Sequence, residues 1–268
     1  MISHRTTLYS LIIYSLFMNK NSLRNFLGEL PLAAELDYSL RQKNRARKDH
    51  FNLSRLKKSL PQAVESIKPI LQNPIRNTKY EVKNVLLFAT LHYWIEQAAY
   101  ISLALAGLGH KVMLMTLPYS EWHKEMDKLT QKQRGLHTRD ALSPLSTLRQ
   151  GSGQAFISHV SMLDLRPSTF DLPPALKSDI AEISLWDAQY TLMREEVDMQ
   201  DAKDKALYDL RIKRNTFAAL AALEWMQANK PDVVLVPNGL ILEMGIVFRV
   251  ARYLNIPAVT FEFNDQRE

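Results

Sequence analysis

Two hydrophobic patterns alternate along residues 84–263 of this chain. Short, continuous apolar runs are typical of strands that are buried on both faces of a parallel sheet. Between them lie longer segments in which apolar residues recur three or four positions apart, which is typical of amphipathic helices. The short runs predict strands at residues 84–90, 111–115, 154–163, 232–236 and 258–262.

The longer segments predict helices, whereas residues 133–153 are polar, contain glycine and proline, and predict a loop. Strand, helix and strand in succession form a βαβ unit, and two such units predict one open, doubly wound parallel sheet. The predicted fold class is therefore α/β and Rossmann-like, with residues 84–90 as the central strand because the interior of that run is apolar throughout. The predicted helices are 95–106, 120–132 with Ser120 as the cap, 174–199, 203–229 and 241–254.

Residues 1–83 differ from this body in both pattern and charge. They hold 15 Lys and Arg against 6 Asp and Glu, whereas the remaining residues hold 19 against 22. Apolar residues at helical spacing predict short helices, which Pro61, Pro69 and Pro74 interrupt. We therefore predict that residues 1–83 form a basic helical extension, and that the fold of the body, residues 84–268, does not need it.

The basic extension has two alternative interpretations. Its charge suits contact with an acidic membrane surface, and it also suits a plain solvated helical face. The apolar run at residues 8–18 is much shorter than the roughly 20 residues that cross a bilayer, so it predicts a short helix that packs or touches a surface. We expect a cytoplasmic protein, with peripheral attachment at the inner face of the membrane as the alternative, and no nucleic-acid partner.

Several kinds of chemistry are excluded by residues that the chain lacks. Without cysteine it forms no disulfide, zinc–thiolate site or cysteine nucleophile. It has no G-x-G-x-x-G dinucleotide fingerprint, no P-loop motif and no G-x-S-x-G nucleophile elbow. His92 and Glu96 stand four positions apart on one predicted helix, but two ligands without a third do not predict a metal site.

Three segments of the body carry a recognisable pattern. Residues 103–112 (LALAGLGHKV) end a small-residue helix in Gly-His and enter a hydrophobic strand. Residues 230–236 (KPDVVLV) form a strand before a turn, and residues 250–259 (VARYLNIPAV) lead from a helix through Ile-Pro into a strand. In order and spacing, these segments resemble the N-terminal half of GT-B glycosyltransferases, most of all the bacterial enzymes of surface and capsular polysaccharide synthesis.

The resemblance implies an N-terminal, acceptor-side domain that works with a second Rossmann-like domain. That second domain would bind the nucleotide-sugar donor, and the sequence is expected to be truncated before it. The implied function is transfer of a sugar from the donor to a glycan or lipid-linked acceptor. The chain alone carries no cofactor in this interpretation and is expected to be inactive. The alternatives are another two-domain sugar-nucleotide enzyme, of epimerase type, or a non-catalytic binding module if the gene ends at residue 268.

In an open α/β sheet, ligands bind beyond the carboxyl ends of the strands, and three predicted loops lie there. In the first loop, Thr90 ends a strand and His92 stands at the start of a helix. The resemblance implies that a histidine at this place deprotonates the acceptor hydroxyl, a role that a neutral imidazole at a helix N-terminus suits. The alternatives for His92 are a helix cap or an acceptor contact. Tyr93 and Trp94 are candidates for stacking on a sugar ring or for core packing.

The second and third loops follow the last two strands. Asn238 can hydrogen-bond a ligand in two directions and Gly239 allows close backbone approach, although both also fit a plain turn. Glu243, about one helical turn further on, is a substrate-binding candidate that faces either the cleft or solvent. Glu262 is the second and weaker catalytic candidate, an acid whose alternative role is an ion pair with an arginine of the preceding helix.

Overall fold

A single sheet of parallel strands organises the described part of the chain, residues 19–42, 51–72, 81–119, 121–149, 153–168 and 171–262 of a computed structural model. Its strands, in chain order, are β1 (Asn84–Thr90), β2 (Lys111–Leu117), β3 (Ile157–Ser161), β4 (Val233–Pro237) and β5 (Ala258–Phe261). Their spatial order is β3-β2-β1-β4-β5, and every neighbouring pair is parallel.

The central position of β1 confirms the prediction from its apolar interior. β1 pairs with β2 along its whole length, and with β4 through Val85, Leu86 and Leu87. Residues 85–90 are all buried, because helices cover both faces of the sheet at this strand. The other strands were predicted too, with ends a few residues from those observed.

Helices form one layer on each face of the sheet. One face, through Val85, Leu87 and Ala89, packs with helices α3, α4 and α5, and the other, through Leu86 and Phe88, packs with α6, α7 and α8. The helices of the described residues are α1 (Lys20–Glu29), α2 (Ala33–Gln42), α3 (Ser54–Gln72), α4 (His92–Gly107), α5 (Lys128–Leu142), α6 (Pro174–Leu192), α7 (Ala202–Asn229) and α8 (Leu242–Tyr253).

Helix α3 belongs to the hydrophobic core, which argues against the prediction that residues 1–83 are dispensable for the fold. Its Leu56 and Leu60 are fully buried and pack with residues of α4 and of the sheet. Pro61 and Pro69 lie inside this helix, so the predicted interruptions do not occur there. Both prolines are exposed, and water can satisfy the carbonyl groups that lose their helical partner.

Some expectations for the chain fall outside the described residues. They concern the short helix at residues 8–18, the helix break at Pro74 and the helix cap at Ser120. The domain boundary near residue 83 stays a prediction. Within the described ranges, no helix is both long enough and apolar enough to cross a membrane.

Helix α5 corrects the prediction for residues 120–153. The helix starts after Asp127, whose carboxylate accepts a hydrogen bond from the backbone N–H of Thr130 at 2.9 Å and so caps it. It continues through residues 133–142, for which the sequence predicts a loop, and a 3-10 turn follows at Ser143–Thr147. A search for apolar periodicity misses this helix because its buried face is partly polar and includes Gln133, Arg134 and Thr138.

We expect Leu60→Ala to lower the free energy of unfolding by about 2–5 kcal/mol, because it leaves a cavity in the core beneath α3. Leu36→Ala on α2 is the matched control. Leu36 is 63% exposed, so its truncation should change the free energy of unfolding by less than about 0.5 kcal/mol. Urea unfolding followed by circular dichroism measures the free energy of unfolding of both variants. If Leu60→Ala lowers it as little as Leu36→Ala does, the prediction that residues 1–83 are dispensable for the fold is supported.

Candidate functional site

The carboxyl ends of β1, β4 and β5 lie at one edge of the sheet, and the three predicted loops begin there. β1 and β4 are neighbours, but the chain leaves β1 through α4 on one face and leaves β4 through α8 on the other. Loops that diverge in this way open the crevice in which α/β sheets bind ligands. The ring of Trp94, after β1, lies 6.0 Å from the ring of Phe261 at the end of β5. We call the space at this edge beside Trp94, Asn238 and Glu262 the carboxyl-edge crevice.

The turn between β1 and α4 has a backbone conformation that glycine adopts most readily. Leu91 has φ 61° and ψ 146° and is buried. A non-glycine residue in such a region costs about 1–3 kcal/mol and persists only where its surroundings hold it. The Leu91 side chain packs in the core, and its carbonyl accepts a hydrogen bond from the Ile95 N–H at 3.0 Å. Backbone strain of this kind clusters at ligand sites, which supports the choice of this edge.

His92 is the first residue of α4 and is half-buried. Its ring stands edge-on to the rings of Phe51 and Tyr93, with centroids 6.1 and 5.3 Å away. Leu91 stands at the N-cap position of α4 and makes no side-chain capping hydrogen bond. The predicted position of His92 at a helix start is thereby confirmed, while its role as a base stays a prediction.

Glu96, one turn after His92, is occupied by a structural ion pair. Its carboxylate accepts two hydrogen bonds from the guanidinium of Arg55, at 2.6 and 3.1 Å, and so joins α4 to α3. Nowhere in the described ranges do three or more His, Asp or Glu side chains come together in a way that could hold a metal ion.

The other candidates of the first loop have different surroundings. Thr90 is fully buried, and its hydroxyl donates a hydrogen bond to the carbonyl of Leu117 at 2.8 Å, which ties the ends of β1 and β2 together. This contact makes Thr90 a structural residue rather than a ligand contact. Trp94 is half-buried and packs against the hydrophobic clusters on both faces of the sheet. Tyr93, by contrast, is 41% exposed and presents an aromatic surface to the outside.

Asn238 and Glu262 form a hydrogen-bonded pair across the ends of β4 and β5. The Asn238 amide donates to a carboxylate oxygen of Glu262 at 2.8 Å, and its carbonyl oxygen accepts from the Leu240 N–H at 2.9 Å. Glu262 therefore has an amide partner here rather than the arginine that was its alternative. Asn238 has φ 54°, a left-handed conformation that asparagine tolerates. Residues 263–266 of the third loop lie outside the described residues.

Gly239 is required by packing at the end of β4. A Cβ atom at this position would collide with the Thr260 side chain on β5 and would also touch the ring of Phe248. Gly239 thus lets the β4 loop lie against β5, while its predicted close approach to a ligand stays a prediction.

Glu243 corrects a prediction, because it faces neither an open cleft nor solvent. Its side chain is 1% exposed, and a carboxylate oxygen lies 3.0 Å from the guanidinium of Arg211 on α7. The residue stands in the first turn of α8 on the side that packs against α7. The charge of Glu243 is therefore paired with Arg211 in the protein interior.

Sequence reasoning missed the polar residues that surround Glu243. Asp187, Arg211 and Asn215 are buried on facing sides of α6 and α7. Burial raises the pKa of Asp187, and the neighbouring Arg211 acts in the opposite direction. The available signal was the presence of Arg211 and Asn215, four residues apart and therefore on one face of a helix whose C-terminal half is largely apolar.

A second missed group lies on β2 and β3. The Thr116 hydroxyl and the Nε2 atom of His159 are 2.9 Å apart, and burial lowers the pKa of His159 to about 4. Because of this low pKa, His159 is neutral at physiological pH. Ser161, at the end of β3, is also buried, and its hydroxyl has no hydrogen-bond partner among the described residues.

A groove of about 530 Å³ begins at the β4 loop and follows α8 away from the crevice. Its lining includes Gly239 and Leu240 at one end, and Phe248 and Tyr253 along α8. No residue of the first loop lines it. The groove shares only Gly239 with the predicted site, so we treat the carboxyl-edge crevice as the candidate site.

Comparison with known proteins identifies no relative from which the function of this site could be inferred. No protein-family model matches this chain, and no curated protein matches it.

We expect the pH dependence of stability to report on His159. Its folded pKa of about 4 lies below the ordinary value of 6.5, so the unfolded chain binds more protons between these values. Stability should then be full above pH 6.5 and decrease as the pH falls toward 4, by up to roughly 3 kcal/mol from this residue. His159→Gln should flatten that part of a urea-unfolding series measured against pH. A variant with the wild-type slope would contradict the assignment.

Proposed function

We propose that this chain is the acceptor-side domain of a glycosyltransferase of the GT-B kind, which transfers a sugar from a nucleotide-sugar donor to a glycan or lipid-linked acceptor. One observation carries the proposal. His92, at the N-terminus of α4, and the hydrogen-bonded pair of Asn238 and Glu262 stand at the same edge of the sheet, beyond neighbouring parallel strands. Together they offer a proton acceptor and several hydrogen-bonding groups to a hydroxyl-rich ligand. The resemblance of residues 103–112, 230–236 and 250–259 to GT-B enzymes adds support.

In this proposal, His92 is the base. A ring nitrogen would take the proton of the acceptor hydroxyl as the hydroxyl oxygen attacks the anomeric carbon of the donor sugar. The bond from that carbon to the phosphate oxygen of the donor would break, and the nucleotide would leave with the bonding electrons. Imidazole suits this step because it exchanges protons near neutral pH. The positive end of the α4 dipole favours the neutral ring and attracts a hydroxyl or an anionic group.

The remaining residues of the crevice would bind and orient the acceptor. Tyr93 is 41% exposed beside His92, where a sugar ring could stack on it. Asn238 and Glu262 would exchange their mutual hydrogen bond for bonds to sugar hydroxyls. Gly239 keeps the β4 loop close to β5, and Thr90 and Trp94 fix the shape of the first loop rather than contact the ligand.

The donor belongs to a second Rossmann-like domain in this proposal. When bound there, the nucleotide sugar supplies the activated anomeric carbon, and this chain supplies the acceptor and the base. A cytoplasmic location follows from the use of nucleotide sugars, and the basic residues 1–83 would face an acidic membrane surface if the acceptor is lipid-linked.

Acceptor binding is the first test. We expect the full chain to bind one or more members of a panel of oligosaccharides and lipid-linked saccharides, detected by saturation-transfer NMR and measured by calorimetry. His92→Gln should weaken that binding roughly five- to tenfold, because it removes one ligand hydrogen bond. His110→Gln is the matched control, since His110 accepts a hydrogen bond from the Lys83 N–H at the opposite edge of the sheet. Absence of binding across the panel would overturn the proposed function.

Turnover is the second test. We expect residues 1–268 alone to transfer no sugar, since the donor site is assigned to another domain. When the chain is joined to that domain, His92→Ala or His92→Gln should reduce turnover by about 10²–10⁴-fold. Lost binding with unchanged turnover of bound acceptor would make His92 a contact rather than a base, and turnover by the isolated chain would remove the need for the second domain.

A further inference from the structure

Three charged side chains meet in the interior between α6, α7 and α8. We call Asp187, Arg211 and Glu243 the buried triad. The Arg211 guanidinium donates a hydrogen bond to Asp187 at 2.9 Å and lies 3.0 Å from Glu243, and all three side chains are at most 1% exposed. Asn215 accepts a further hydrogen bond from Arg211 at 3.1 Å and donates one to Asp187 at 3.1 Å.

The triad reaches the loop after β4. A carboxylate oxygen of Asp187 accepts a hydrogen bond from the backbone N–H of Leu242 at 2.7 Å. Leu242 is the first residue of α8 and has φ 57°, an unfavourable value for leucine. Asp187 therefore holds the point at which the loop that carries Asn238 and Gly239 enters its helix.

The same group reaches the loop after β2. Arg211 donates to the backbone carbonyl of Trp122 at 3.3 Å. Arg214, one turn along α7, donates to the carbonyls of Glu121, at 2.9 Å, and of Lys124. Two arginines of one helix thus hold three carbonyl groups within residues 121–124. Residues 121–127 form no strand or helix before α5 begins.

The energetic cost of this arrangement argues for a role beyond stability. Three charges that are removed from water lose solvation, and apolar residues of similar size often serve stability as well or better. A stabilising role alone would not require charged groups here. What apolar residues cannot do is bind the N–H of Leu242 and the carbonyl of Trp122 simultaneously.

We propose that the buried triad is a positioning element, which fixes the loops after β2 and β4 relative to each other and so holds the β4 side of the carboxyl-edge crevice in place before a ligand arrives. Its effect on a ligand rests on the proposed function, whereas its effect on the two loops does not. Asp187 and Arg211 act through the loop backbone and are not catalytic residues.

Replacement of the whole triad separates positioning from stability. In Asp187→Leu/Arg211→Met/Glu243→Met, all three charges of the triad are removed together, so none of the three is left buried without its partner and we expect a urea midpoint close to that of the wild type. Amide hydrogen exchange at residues 121–124 and 240–243 should nevertheless become roughly ten- to hundredfold faster, since hydrogen bonds to charged groups are lost there. Unchanged exchange in both loops would overturn the proposal.

Arg211→Lys provides a second route if the triple variant does not fold. Lysine keeps the charge, but it cannot reach Asp187, Glu243 and the Trp122 carbonyl together. Arg249→Lys is the matched control, because Arg249 also binds two carboxylates between α6 and α8, Asp179 at 3.1 Å and Glu182 at 3.2 Å. Both carboxylates belong to α6 rather than to a loop. Faster exchange of the two loops in Arg211→Lys alone supports positioning, and equal exchange in both variants contradicts it.

The saccharide panel keeps the two proposals apart. If the wild-type chain binds no saccharide, the proposed function fails, but the exchange comparison still decides whether the triad positions the loops. If the wild type binds, Arg211→Lys should weaken binding at least about fivefold while Arg249→Lys leaves it within about twofold. Equal binding by the two variants would show that the loop positions do not matter to the ligand.

Discussion

The parallel pairing of β1 with both of its neighbours is the constraint on which the rest of the structure depends. The side chains of β1 alternate between two hydrophobic clusters. A shift of its pairing register by one residue would therefore move every side chain to the opposite face of the sheet. The end of β1 is thereby fixed, and the buried hydroxyl of Thr90 ties it to the end of β2. The strained backbone conformation of Leu91 persists because the fixed end of β1 holds it in place.

The two walls of the crevice are held by different interactions. Around His92, aromatic packing with Phe51 and the strained Leu91 turn fix the start of α4. On the other side, buried ions and backbone hydrogen bonds fix the start of α8. Packing fixes a geometry through the complementary shapes of side chains, whereas charged hydrogen bonds fix it through their direction and at a cost in solvation. The structure therefore holds the loop after β1 by packing and the loop after β4 by directional hydrogen bonds to buried charges.

The sequence predicted the sheet because parallel strands leave a simple signal, an uninterrupted apolar run. All five strands and the central place of β1 could be predicted in this way. Helix α5 could not, because polar side chains such as Gln133 occupy its buried face. Helix α6 ends at Leu192, earlier than the predicted end at residue 199. It ends there because Met193 adopts a left-handed conformation, with φ 54°, that the residue pattern does not predict.

The candidate site was predictable only in part, for a related reason. Strand ends and helix starts place His92, Asn238 and Glu262 at one edge without knowledge of side-chain partners. The burial of Glu243 depends on Arg211, which stands far away in the chain and reads as an ordinary surface charge. Buried ion pairs join residues across long sequence separations, and a single sequence gives no sign of which charges pair.

The same long-range contacts bear on where the functional unit begins. A boundary near residue 83 would separate His92 from Phe51, whose rings lie 6.1 Å apart, and Glu96 from Arg55, which binds it with two hydrogen bonds. Both partners belong to the basic segment that the sequence sets apart from the body. Loss of Arg55 would leave the mostly buried Glu96 carboxylate without its partner one turn from His92, at the start of α4. The segment from Phe51 through α3 is therefore part of the candidate site's support, whatever role its positive charge has at a surface.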